Sequence, residues 1–250
     1  MTRRDPALEA ALAALPDRVA EVRGRIERAA TAVGRDPAEV TLVAVTKTHP
    51  PALAVAAVEA GVPDLGENRS TEFAAKRGLV DAQVAGARWH FVGQLQRRAA
   101  GDVVGDGVLV HSVDRRSLVD RIQRLAEDAG LVQRVLVQVN VGDDPAKGGC
   151  GLDEVADLVA YARDRPNVAV EGLMTVPPLP PEGVDANTHA RPHLETLAAT
   201  RDDLAGTFPE VRALSMGMTA DLEAAVAAGA THVRVGTALF GSRGTRPWQP

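Results

Sequence analysis

The sequence predicts a parallel (β/α)8 TIM-type barrel preceded by one additional helix. Three observations predict it: β-rich runs recur eight times, helical patterns separate them, and the alternation fits a chain of 250 residues. The expected organisation is one domain over residues 1–250, with a helical extension at 1–36 and the barrel at 41–241. The extension reads as an amphipathic helix from Ala7 to Val33 with a break expected near Pro16.

The eight runs are Thr41–Thr46, Pro63–Leu65, Arg88–Val92, Val108–Ser112, Arg134–Asn140, Val168–Met174, Val211–Ser215 and Thr231–Val235. The first, fifth and eighth are rich in Val and Leu, the composition of a parallel strand covered on both sides. Between them, Asp114 is expected to cap a helix over Arg115–Ala129 closed by Gly130, and Thr219 to cap Ala220–Ala228 closed by Gly229. A helix over Leu152–Arg163 stops before Pro166. The proline-rich stretch 176–187 reads as the loop after the sixth strand. A doubly wound open sheet is the competing architecture, but it usually carries a glycine-rich turn after its first strand, and Thr46-Lys-Thr-His-Pro-Pro51 has none.

Composition narrows function. Aromatics are 3% and the formal net charge is −5, so neither stacking platforms nor an overall basic surface is offered to nucleic acid. A local basic patch is still compatible with these totals. A single cysteine, Cys150, rules out an internal disulfide and suits a reducing compartment. With neither a secretion signal in Met1–Leu8 nor an apolar segment of membrane-spanning length, the expected location is cytoplasmic, with no membrane contact.

Lys47 is the residue that most needs explaining. The chain holds 28 basic residues, of which only Lys47, Lys76 and Lys147 are lysine. A guanidinium serves for charge but not as an amine nucleophile toward an aldehyde. Lys47 closes the first strand, and barrel strands deliver their functional residues at their C-terminal ends. It reads either as a solvated strand-end lysine or as that nucleophile. The same mouth is expected to hold Glu67 and Asn68, Gln94 and Gln96, His111 and Ser112, Asn140, Met174 and Thr175. After the seventh strand, Ser215-Met-Gly217-Met-Thr219 leads into a helix, and after the eighth Val235-Gly236-Thr237-Ala238 opens another. Both turns offer small residues and free N–H groups suited to phosphate. Arg234, between two valines, is either a structural ion-pair partner or a donor aimed at a ligand. An amine, a phosphate seat and a fixed arginine together suit a phosphorylated aldehyde, and pyridoxal phosphate fits. His189 and His193 lack a third metal ligand, and Asp143–Gly149 lacks the Ser or Thr of a phosphate-binding P-loop.

Taken in order, Leu42-Val-Ala-Val-Thr-Lys47, Leu65-Gly-Glu-Asn-Arg69, Trp89-His-Phe-Val-Gly-Gln-Leu-Gln96, His111-Ser-Val-Asp114, Gly172-Leu-Met-Thr175, Leu214-Ser-Met-Gly-Met218 and Val233-Arg-Val-Gly-Thr-Ala-Leu-Phe-Gly241 resemble the pyridoxal phosphate homeostasis proteins (YggS/PROSC type). Those are single barrels like the N-terminal domain of alanine racemase. The resemblance implies a Schiff base on Lys47, a ring pocket lined by Asn68, and phosphate held by Ser215, Gly217, Val235, Gly236 and Thr237. It places Arg234 against the pyridine nitrogen, where a permanent charge weakens the cofactor as an electron sink. The chain departs from the family at Arg97-Arg-Ala99, where Ser-Asn-Lys is usual, and at Gln94, where His is common.

A two-base racemase takes a tyrosine from a further β-domain. The only tyrosine here, Tyr161, falls inside a helical stretch. The resemblance therefore implies a protein of vitamin B6 homeostasis that buffers or delivers pyridoxal phosphate, with pyridoxal-phosphate-dependent apoenzymes as recipients and a monomeric state. A weak racemase of the alanine racemase type is the alternative, and a lysine-based aldolase acting on a sugar phosphate is a third reading.

Overall fold

The computed structural model describes residues 6–144, 147–241 and 248. Its eight parallel strands close on themselves in sequence order: β1 (Thr41–Val45), β2 (Asp64–Glu67), β3 (Arg88–Phe91), β4 (Val108–Val113), β5 (Gln133–Gln138), β6 (Val168–Met174), β7 (Ala213–Ser215) and β8 (His232–Val235). Each expected strand is present, displaced by at most a couple of residues. The seam pairs Ala44 with Val235 and Val45 with Gly66, so β1 lies between β8 and β2.

Among the glycines, Gly172 leaves the least room for a side chain. A Cβ there would stand 2.0 Å from the Ala213 carbonyl oxygen, because β6 pairs Gly172 with Ala213 of β7. Gly172→Ala is expected to destabilise the protein by about 1–3 kcal/mol through overpacking, read as a lowered denaturant midpoint with unchanged slope.

The helices are α1 (Pro6–Thr31), α2 (Pro51–Glu59), α3 (Ser70–Asp81), α4 (Arg116–Asp128), α5 (Val155–Arg163), α6 (Ala186–Ala205), α7 (Leu222–Ala227) and α8 (Thr237–Phe240). No break occurs at Pro16. It sits on the exposed side of α1, and the stripe Leu15, Val19, Val22, Ile26 and Ala30 stays buried across it. The helix loses one backbone hydrogen bond at Pro16, and packing against the barrel keeps it continuous. Arg25 pairs with Glu223 at 2.7 Å and donates to the Thr219 carbonyl at 2.8 Å, tying α1 to the loop before α7. Pro192 likewise lies inside α6, which runs through the His189–His193 segment where the sequence suggested only marginal helix.

Two expected caps are replaced. Asp114 pairs with Arg115, and α4 begins at Arg116 without a side-chain cap. Asp221, not Thr219, serves the loop before α7, its carboxylate accepting from the Met218 N–H at 2.7 Å, and α7 begins only at Leu222. Gly130 and Gly229 close their helices at φ 66° and 97°, in the left-handed region glycine tolerates. The unit after β3 carries no α-helix. A 3₁₀ turn, Arg97–Asp102, fills its place.

The main core lies between strands and helices, whereas a second small cluster of Leu109, Leu136 and Met174 lies inside the barrel. No helix among the described residues is long and apolar enough to cross a membrane.

Candidate functional site

A cavity of about 400 Å³ opens at the C-terminal mouth, and its wall brings together Lys47, Asn68, Arg234, Gly236 and Thr237. This is the size range of small-ligand sites. Strand pairing explains the convergence. Ala44 opposite Val235 sets the turn carrying Lys47 beside the turn carrying Gly236 and Thr237. Gly236 is held close to β1: a Cβ on it would stand 3.2 Å from the Val45 carbonyl oxygen. The first N–H groups of α8 have no acceptor within their own helix.

Ser215, Gly217 and Val235 lie behind that wall. Val235 is fully buried in the core between strands and helices. The Gly217 carbonyl accepts from the Arg234 N–H at 2.9 Å, and its φ of 87° with a virtual Cβ 2.3 Å from the Ala225 Cβ leaves room for no side chain. Thr219, which the sequence suggested as a cap, is on the cavity wall beside Met218 and Ala220. Its hydroxyl directly after a glycine-containing turn was the available signal.

The turn bearing Lys47 is clamped from below. Thr46 donates its hydroxyl to Glu67 Oε1 at 2.5 Å, and the Thr48 N–H donates to Glu72 Oε1 at 2.6 Å, so both neighbours of Lys47 are tied to carboxylates. Between these carboxylates lies Lys76, completely buried, donating to Glu67 Oε1 at 2.5 Å, Glu72 Oε1 at 2.9 Å and the Thr46 carbonyl at 2.8 Å. Three ammonium protons meet three acceptors. A guanidinium, with five donors in a fixed plane, would leave some unpaired, which accounts for the second of the rare lysines. Burial pushes the Glu67 carboxyl above its ordinary range, with the Lys76 charge opposing. Thr48 itself takes φ 66°, an uncommon conformation for a branched residue. The Trp248 N–H donates to the Thr48 carbonyl at 2.9 Å, and its ring centroid lies 5.3 Å from the Lys76 nitrogen.

Arg234 reaches the cavity from inside the barrel. Its guanidinium donates to the Ser215 hydroxyl at 2.6 Å and to the Thr175 carbonyl at 2.7 Å, not to a carboxylate. Burial pushes its pKa down to about 10, so it remains cationic at neutral pH. From Ser215 a polar chain descends the barrel: His111 Nδ1 at 2.7 Å, His111 Nε2 to His90 Nδ1 at 2.9 Å, and His90 Nε2 to Asp64 at 3.0 Å. With Asp64 ionised, one proton assignment satisfies every atom: Ser215 donates to His111, His111 to His90, and His90 to Asp64. Burial, reinforced by the neighbouring His90, His232 and Arg234, holds His111 well below the usual imidazole range, and burial takes His232 to about 4. The sequence placed His111 and Glu67 at the mouth. Both are buried, one inside the barrel and one at the base of the Lys47 turn.

At the foot of this chain Asp64 also accepts from Arg88 at 2.9 and 2.5 Å. Burial alone would raise its carboxyl, but the hydrogen bonds from His90 and Arg88 outweigh it and bring the pKa down to about 2 from 3.8. A depressed carboxyl contributes stability above its unfolded pKa that is lost as pH falls toward the folded value. Asp64→Asn is expected to remove about 2 kcal/mol of stability at neutral pH and to flatten acid unfolding between pH about 4 and 2. Denaturant midpoints across that range are the check.

The remaining candidates lie elsewhere. His189 and His193 pack edge to face on α6 with centroids 5.8 Å apart, and among the described residues no three His, Cys, Asp or Glu are grouped to hold a metal ion. Tyr161 donates to Asp120 at 2.7 Å, and the guanidinium groups of Arg116 and Arg165 lie over its ring at 4.8 and 4.0 Å. Cys150 is buried, and burial pushes its thiol up to about 12. The loop 143–149 includes Pro145 and Ala146, which lie outside the described residues.

Residues 18–244 match the family described as "Alanine racemase, N-terminal domain". Proteins named pyridoxal phosphate homeostasis protein from Aquifex aeolicus and Escherichia coli K12 are each 39% identical to the chain, over 91% and 90% of it and 97% and 95% of their own lengths. Among solved structures, an unknown protein from Bifidobacterium adolescentis superposes with a TM-score of 0.86 at 32% identity, covering 95% of this chain and 97% of its own. PipY of Synechococcus elongatus PCC7942, solved with PLP bound, gives 0.78 at 30%, covering 91% and 100%. An alanine racemase from Clostridium difficile, 13% identical with a TM-score of 0.69 over 91% of this chain and 61% of its own, shares the fold. By strand order, by the geometry of its mouth and by these relatives, the chain belongs to the pyridoxal phosphate homeostasis protein family, built on the alanine racemase N-terminal barrel.

Proposed function

We propose that this protein binds pyridoxal 5'-phosphate covalently through Lys47 and buffers or delivers it in vitamin B6 homeostasis. The observation that carries the proposal is the meeting of Lys47, Arg234, Gly236 and Thr237 on one cavity wall. The residues fit the group. Asn68, on the same wall, carries a buried Oδ1 without a hydrogen-bond partner among the described residues, a polar atom that a ligand can satisfy. When bound, pyridoxal phosphate supplies an aldehyde that condenses with a lysine amine. Lys47 presents that amine from a turn fixed on both sides. The Gly236–Thr237 backbone and the Thr219 hydroxyl would offer donors to a phosphate, and Arg234 would set a cationic donor on the same wall. Ser215, Gly217 and Val235 support this wall from behind, Ser215 by holding Arg234.

Carriage is favoured over racemisation by the position of Tyr161 on α5, where Asp120 engages it away from the cavity wall, together with the charge of Arg234. The same reading includes a single domain with residues 1–36 as a helical extension of the 41–241 barrel, a monomeric state, a cytoplasmic location and apoenzyme recipients. It includes no nucleic-acid or membrane partner. Titration with pyridoxal phosphate is expected to produce a visible absorbance band. Pyridoxal, which lacks the phosphate, is expected to bind at least about tenfold more weakly, since it forfeits several charge-assisted hydrogen bonds. Equal binding of the two aldehydes would remove the phosphate seat from the proposal.

A further inference from the structure

Three cavities, running from the C-terminal mouth of the barrel toward α4, share lining residues. The Lys47 cavity shares Asn68 with a neighbour of about 530 Å³, which shares Gln96 and Arg98 with a third of about 530 Å³. The third is walled by Gln96 and five arginines: Arg97, Arg98, Arg115, Arg121 and Arg124. A sixth, Arg69, stands on the groove between.

Some surface arginines elsewhere face carboxylates, as in Arg134–Glu171 at 2.5 Å and Arg163–Glu210 at 2.7 Å, and others donate to backbone carbonyls, as Arg23 does to Gly61 and Arg212 to Pro209. On the arginine wall only Arg115 faces a carboxylate, that of Asp114. Among the described residues the guanidinium groups of Arg97, Arg98 and Arg121 make no hydrogen bond or ion pair. Like charges crowded on one wall of a chain whose net charge is −5 raise the local potential and draw in anions. One phosphate group uses two or three such donors, whereas this wall extends from the 3₁₀ turn after β3 onto α4. Its reach suits a string of anions.

We propose that this track docks an acidic segment of a partner protein, laid from the arginine wall toward the lip of the Lys47 cavity at Asn68. Carboxylates pair with guanidinium forks bidentately. The intervening groove supplies Ser70, Thr71, Gln94 and Gln96, side chains that can bond a peptide backbone. Nucleic acid fits less well, since the one aromatic on these walls, Phe91, is 1% exposed and offers no face for a base. Only the idea that the partner there meets the cofactor rests on the function proposed above. Docking itself does not.

The test is fluorescence anisotropy of a labelled Asp/Glu-rich peptide with the full chain, with and without added pyridoxal phosphate. An oligothymidylate of equal charge and inorganic tripolyphosphate are run alongside. The peptide is expected to bind in a salt-sensitive manner, and R97E/R98E/R121E to weaken it at least about tenfold. R97Q/R98Q/R121Q should weaken it less, and both variants should develop the pyridoxal phosphate absorbance normally. Loss of that absorbance in the wild type would count against the cofactor reading alone. Undiminished peptide binding by the variants, no peptide binding by the wild type, or tighter binding of the oligothymidylate or tripolyphosphate would overturn the docking proposal.

Discussion

Lys47→Ala is expected to abolish the visible absorbance that pyridoxal phosphate acquires on this protein, and Lys47→Arg to abolish it equally. The loss is chemical rather than steric. Lys47 lies in a turn with its side chain partly exposed, so truncation opens no core cavity and the fold should survive. What disappears is the amine. Arginine restores the charge but supplies no nucleophile toward an aldehyde. Residual, weaker, non-covalent binding through Asn68, Gly236 and Thr237 is expected, detectable by calorimetry as heat without colour. Persistence of the band in Lys47→Ala would assign the attachment to another residue.

Lys76→Met should cost more stability than either Gly172→Ala or Asp64→Asn. It leaves Glu67 and Glu72 facing one another, both buried, with their shared cation gone. Breaking a buried pair in this way costs about 3–5 kcal/mol. The pH dependence has a definite sign. Glu67 is already raised by burial against the lowering effect of Lys76, and removing that charge raises it further. A raised carboxyl favours the folded state below its unfolded pKa, and that contribution is lost as pH climbs through the folded pKa. The deficit of Lys76→Met should therefore shrink at mildly acid pH, where Glu67 is protonated, and be greatest at neutral pH. Denaturant unfolding of both proteins at the two pH values measures this. Because Thr46 and Thr48 are tied to the same carboxylates, the variant should also bind pyridoxal phosphate more slowly at temperatures where it remains folded. Lys76→Arg is expected to destabilise too, through surplus donors and volume.

Local signals carried the barrel. Runs such as Thr41–Val45 and Val168–Met174 identify themselves by composition, and their spacing leaves room for little except a crossover. The scarcity of lysine made Lys47 conspicuous, and the two turns after β7 and β8 were legible from their small residues. Legibility ended where contacts depend on closure. Glu72 and Lys76 are i, i+4 neighbours on α3, and only the packing of α3 against β2 sets Glu67 against them. The line from Arg234 through Ser215, His111 and His90 to Asp64 joins residues from five strands, and spacing along the chain carries no trace of it. The misplaced caps have a simpler cause: Asp114 pairs with Arg115, and Asp221 rather than Thr219 serves the loop before α7, so both helices start later than the local sequence suggests.

Every role proposed for this mouth requires the amine at Lys47 and the Gly236–Thr237 turn to act on one ligand in one cavity. Borohydride reduction of the protein mixed with pyridoxal phosphate, followed by intact mass and peptide mapping, tests that requirement at the bond itself. With only Lys47, Lys76 and Lys147 available as lysines, the assignment is clean. One reduced pyridoxal phosphate adduct on the peptide containing Lys47 is the expected result. An adduct on Lys76, on Lys147 or on the terminal amine with Lys47 unmodified, or no adduct at all, would refute it.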